Sequence, residues 1–198
     1  TGKNLIDKYD VYQHLMNYWN EVMQDDCYLI AVDGWKAEPY RIIVKNKAGK
    51  ETDKGWDCDL VPKTLVIDRY FLSEKKAIEF LISQKEALET ELSELEEEHS
   101  GDEGYFSDYD KVNKANVQKR LKAIDKEKLK IENADEIKVL KAYLKLIENI
   151  GEINKKIKEA EAELDKITLA RYKTLTEAEI KQLVVDDKWM ASIERSVK

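Results

Sequence analysis

Eight apolar residues, Tyr143, Leu146, Ile150, Ile153, Ile157, Ala160, Leu164 and Ile167, follow one another in unbroken steps of three and four. That alternation is the seam of a helix built to pack lengthwise on another helix. From Asp135 to Arg171 such a helix spans roughly 55 Å at about 1.5 Å per residue. No globule of this size hides a rod that long, so it needs an antiparallel partner. Residues 74–98 supply one: Ile78, Leu81, Lys85, Leu88, Leu92 and Leu95 step by three and four, with Lys85 the one polar interruption. The expected pairing sets Leu88, Leu92 and Leu95 against Ile150, Ile153 and Ile157, and Leu164 prolongs the seam. A second stripe, Ile137, Leu140, Leu144 and Ile147, makes the start of the long helix apolar on two sides.

Composition divides the chain ahead of these helices. Residues 1–71 hold both prolines, both cysteines, three of the four tryptophans and four of the seven glycines. Residues 72–198 carry 53 charged residues among 127, well above the share of about a quarter in ordinary domains. The expected class is α+β, mainly α: a small helix-plus-sheet unit over 1–71, a long antiparallel coiled-coil-like array over 72–174, and C-terminal helices over 175–198.

Tyr9 to Gln24 has a broad apolar helical face, which Asp25-Asp26 is expected to end. Cys27–Val32, Tyr40–Lys45 and Thr64–Ile67 read as strands, with turns at Asp33-Gly34 and Asn46–Gly49. So small a sheet needs the first helix to pack on. Ser73 is placed to cap the helix that follows. A further helix starts near Ser107 or Asp108, and Asn133-Ala134-Asp135 reads as a break. Thr176 with Glu179 forms a capping box. With no initiator Met and a helix still amphipathic at Lys198, the chain reads as part of a longer protein.

The formal charge of −7 argues against wholesale binding of nucleic acid but leaves room for a local basic stripe. There is no apolar run of about 18 residues for a membrane span, and no apolar signal region. Cys27 and Cys58 have neither metal nor disulfide-framework spacing, so free thiols in a reducing cytoplasm are expected. Neither His14 nor His99 has partners at metal spacing. His99 reads as a solvated helix end, with weak divalent-cation binding in its acidic loop as the alternative. No GxxxxGK[ST], GxGxxG or GxSxG occurs. Pro39 and Pro62 are never adjacent, which excludes an Asn-Pro-Pro-aromatic motif. The pairs Asp25-Asp26 and Asp186-Asp187 point apart and suit turns and caps.

Between Lys111 and Lys130 stand eight basic and two acidic residues. Lys119, Lys122, Lys126 and Lys130 share one helical face and could contact DNA phosphates. Pairing with the glutamates of residues 86–98 is the plainer reading, because no aromatic residue interleaves with the lysines. Trp35, Trp56 and Trp189, each beside turn residues, read as core anchors, with exposed docking residues as the alternative.

Four segments, LIDKYDVYQHLMNYWNEVMQDDCYLIAVDGWK (5–36), GWDCDLVPKTLVIDRYF (55–71), ELEEEHSGDEGYF (94–106) and LTEAEIKQLVVDDKWMASI (175–193), run in one order through the chain. In them the chain resembles the C-terminal region of the modification subunit of type I restriction-modification systems. The resemblance implies a cytoplasmic parent enzyme that methylates adenine N6 in DNA with S-adenosylmethionine. It implies as partners a DNA-reading specificity subunit and a restriction subunit, with DNA met through the assembled complex and no membrane. The cofactor and catalytic motifs of that family are not in this chain, so no catalytic, cofactor or metal residue is carried over. The expectation is an assembly module, with Ile180, Val184, Trp189 and Ile193 as the docking surface. The alternatives are a duplex-DNA clamp through the basic helix, and a self-standing coiled-coil scaffold.

Overall fold

The computed structural model describes residues 8–47, 49–101, 104–107, 109, 112–126 and 133–197. The chain is mainly α with one small sheet. Its elements are α1 (Lys8–Tyr18), a π-helical stretch (Trp19–Met23), α2 (Gln24–Asp33), β1 (Tyr40–Lys45), β2 (Glu51–Asp57), α3 (Lys63–Tyr70), α4 (Leu72–Glu98), α5 (Lys114–Lys126), α6 (Ala134–Tyr172), α7 (Glu177–Gln182), a second π-helical stretch (Leu183–Met190) and α8 (Ala191–Val197). They form two compact units, residues 1–75 with 163–198, and residues 76–162. The first boundary lies close to the composition break, but the C-terminal helices belong with the N-terminal segment.

In the first unit, Trp56, Cys58, Leu60, Val61 and Val66 are buried with Tyr172, Ile180, Leu183 and Val184. Residues near both ends of the chain thus build one core. The Tyr172 hydroxyl, its pKa raised by burial, donates to the Val61 carbonyl at 2.6 Å. Trp56 meets Tyr172 edge-on at 5.3 Å and donates from Nε1 to Asp165 at 2.8 Å. Trp35 and Trp189 pack on the same core, as anchors.

Two expected strands are helical. Cys27–Val32 lies inside α2, because Asp25-Asp26 does not end the first helix. Asp26 is buried and accepts from Lys188 Nζ at 2.7 Å and Trp189 Nε1 at 2.8 Å. A carboxylate so satisfied has no need to leave the helix for water. Gly34 ends α2 instead, at φ 79°, where a side chain would be strained. Thr64–Ile67 lies in α3, which Pro62 opens and which buries Val66. Packing there overrides β-branched preference. Nor are the aspartate pairs turns or caps: Asp26 lies within α2, and Asp187 pairs with Arg69 from the second π-helical stretch.

The sheet is an antiparallel β1–β2 pair with an irregularity between Arg41 and Ile43. It does not lie on the first helix. Only its base enters the core, through Trp56, and every described residue from Ile43 to Lys54 is exposed.

The second unit gathers around Phe106, Val117, Ile124, Leu140 and Tyr143. Leu92 and Leu95 pack on this cluster, so the end of α4 meets the start of α6. The contact lies about a heptad nearer the start of α6 than the expected pairing with Ile150, Ile153 and Ile157. α5 covers the second stripe of α6 with Val117, Leu121 and Ile124. α5 opens at Lys114, where Asn113 Oδ1 accepts the Asn116 amide at 2.9 Å, not at Ser107. The Asp108 alternative lies outside the described residues. Ser73 is already inside α4, and its hydroxyl donates to Glu74. Between α4 and α5 the chain turns back at Gly104, where a side chain would collide with the His99 carbonyl. That carbonyl accepts the Phe106 amide at 2.9 Å. His99 is not fully solvated: its ring lies 5.2 Å from Tyr105 and 5.9 Å from Phe106.

Candidate functional site

The expected docking surface is not a surface. Ile180 is 5% exposed and Val184 0%, Trp189 is held by Asp26, and Ile193 is half-buried. Residues 175–193 look amphipathic because their apolar side closes the first unit's own core. The Thr176 capping box that starts them is present, with the Glu179 carboxylate accepting the Thr176 amide at 2.9 Å.

An exposed apolar face lies on α1 and the π-helical stretch after it. Tyr9 is 79% exposed, Tyr12 61%, Trp19 39%, Leu15 38% and Val11 37%. Tyr12, Leu15 and Trp19 are spaced three and four apart and so form one ridge on α1 and the turn after it. A helix in water normally hides such a stripe. Other parts of the same helix are occupied. α1 packs on α8, and Tyr18, its hydroxyl pKa raised by burial, donates to the Lys188 carbonyl at 3.1 Å. Gln13 Nε2 donates to Asn17 at 2.8 Å on the polar side. The ridge is therefore what remains after the helix has been anchored. The sequence shows the apolar face but not which part of it stays open. The one signal is its tyrosines, which suit half-wet positions better than a dry core.

The seam residues divide by depth. Leu92 and Leu95 lie on the second unit's core, and Ile157 is buried at 8% exposure. Leu88, Ile150, Ile153 and Leu164 are half-buried. The Tyr143 hydroxyl pKa is pushed up to about 12, by burial first and then by Glu96 beside it.

Of the basic residues, Lys119 and Lys122 are exposed, Lys126 is the last residue of α5, and Lys130 lies outside the described residues. Lys119 borders a groove of about 550 Å³ with Tyr105, Tyr109, Asn116, Arg120 and Glu136. Two tyrosines from the segment before α5 share this groove with Lys119. Arg120 holds the buried Glu136 at 2.6 and 3.1 Å, so α5 is charge-paired to α6 at this point.

Both cysteines are free, and burial raises the Cys58 thiol pKa. No described helix is long and apolar enough to cross a membrane. Comparison with protein-family models, with curated proteins and with solved structures finds no match to this chain.

Proposed function

We propose that the chain is a non-catalytic C-terminal assembly region of the modification subunit of a type I restriction-modification enzyme, and that it docks the specificity subunit. The observation that carries this reading is the open ridge of Tyr12, Leu15 and Trp19, beside Tyr9, on a helix anchored to α8 and to the Lys188 carbonyl. The longest resembling segment, residues 5–36, contains the whole ridge. Aromatic side chains at helical spacing suit the grooves of another protein's helices, and Trp and Tyr dominate binding energy at such contacts.

In this reading the docked partner is an apolar helical ridge of the specificity subunit. Methyl transfer from S-adenosylmethionine to adenine N6 belongs to the parent's catalytic part, and the restriction subunit joins the same complex. The long helices α4 and α6 stiffen the second unit, and DNA is held through the assembly.

The test is binding of the chain to the immobilised specificity subunit of its own system. Tyr12→Ser with Trp19→Ser should weaken binding at least about tenfold, since hot-spot aromatics contribute about 2 kcal/mol or more each. The far-UV spectrum should stay unchanged, because both side chains are exposed. Undiminished binding by the folded double variant would overturn the reading.

A further inference from the structure

The distal part of the β1–β2 hairpin is exposed on both faces, its Ile43 50% and its Val44 45% exposed. A lone two-stranded ribbon is marginal in water, yet this one is firmly rooted. At its base Trp56 is buried against Tyr172, and the Tyr40 hydroxyl donates to Asp59 at 2.6 Å. At its tip the Lys50 amide donates to Asn46 Oδ1 and the Gly49 amide to the Asn46 carbonyl, both at 2.9 Å, with Gly49 at φ 76°.

Its charge is opposite to that of the chain. Residues 41–54 hold five basic and two acidic side chains, a net +3 in a chain of −7. The two carboxylates are engaged, Asp53 with Arg41 and Glu51 with Lys45, each at 3.2 Å. Lys47, Lys50 and Lys54 face no carboxylate among the described residues, and all three are exposed.

We propose that this hairpin is an arm that enters a groove of duplex DNA, with Lys47, Lys50 and Lys54 on the phosphates. Three cations on a preformed ribbon suit a polyanion of regular charge spacing. The major groove of B-form DNA, about 12 Å wide, admits a two-stranded ribbon. The deep, narrow major groove of A-form RNA does not. Exposed Ile43 and Val44 suit the methyl-bearing floor of the DNA groove. The arm is a different surface from the aromatic ridge, and neither reading depends on the other.

The experiment uses the intact chain, a fluorescent random-sequence DNA duplex of about 25 base pairs, and anisotropy at about 50 and 200 mM salt. The intact chain should bind at the lower salt and lose affinity steeply at the higher. The triple variant Lys47→Gln, Lys50→Gln, Lys54→Gln should bind at least about tenfold more weakly at low salt. Its log–log salt slope should be shallower by about 2.7, at about 0.9 per lost phosphate contact. None of the three lysines holds an ion pair among the described residues, so the fold should persist, which circular dichroism checks. Lys119→Gln with Lys122→Gln should keep affinity within about twofold. The proposal is overturned by no binding at low salt, by equal binding of the triple variant, or by loss confined to the helix variant. It is also overturned by duplex RNA or polyglutamate binding as tightly as DNA, the last pointing to an acidic protein partner.

Discussion

Asp26 joins the two ends of the chain: its carboxylate accepts from both Lys188 Nζ and Trp189 Nε1 and is 4% exposed. Lys188 also donates to the carbonyls of Asp59 and Leu60, at 3.2 and 3.1 Å. Asp26→Ala would leave a lysine charge and an indole N–H buried without their acceptor. The expected loss is about 3 kcal/mol, at the low end for a broken buried pair because the two carbonyls remain, and urea unfolding measures it. Nothing within residues 20–30 announces this role, since the partners lie more than 160 positions away. That is why Asp26 reads as a helix terminator when taken alone. Glu179 is the opposite case, legible from the Thr176 spacing. Its pKa falls from the ordinary 4.5 to about 2, through hydrogen bonds from the Thr176 amide and hydroxyl and then through Arg171. A depressed carboxylate stabilises the fold above its unfolded value. That contribution should fade as pH drops from about 4.5 towards about 2. Glu179→Gln should flatten the acid limb of a plot of unfolding midpoint against pH, and an unchanged limb would refute the assignment.

Helices with long periodic seams are readable from sequence because each turn repeats the same statement. The end of α4, the extent of α6 and the capping box of α7 all fall where the pattern puts them. Thr176→Ala should cost about 1 kcal/mol, the usual loss at an N-cap. Leu140, at 0% exposure, lies in the core between α4, α5 and α6. Leu140→Ala should cost about 2–5 kcal/mol through cavity formation, measured by urea unfolding. A loss under about 1 kcal/mol at that site would contradict the packing described. Short apolar runs carry no such redundancy. Six residues such as Cys27–Val32 suit a buried strand or a helix turn equally well, and contacts remote in sequence decide between them. The hairpin register was half legible: β1 and its turn stand out, while β2, Glu51–Asp57, is too polar to read as a strand. It is polar because its distal part faces solvent on both sides.

At the scale of the molecule, the core of the first unit draws on residues 37–66 and 172–184 together. Composition cannot reveal this, because both segments are separately plausible as small amphipathic pieces. It also reverses the functional assignment, turning the C-terminal helices from a free docking arm into structure. Deleting residues 175–198 should therefore abolish the near-ultraviolet tryptophan signal of the first unit, whereas removal of a free arm would leave it intact. With that end committed to the core, the proposed docking surface is the ridge on α1. The most direct test is amide hydrogen exchange of the chain with and without the specificity subunit. The account predicts new protection over residues 9–23, with α7 and the stretch after it unchanged. Protection confined to residues 175–197, or no change over 9–23 in a complex that demonstrably forms, would contradict it.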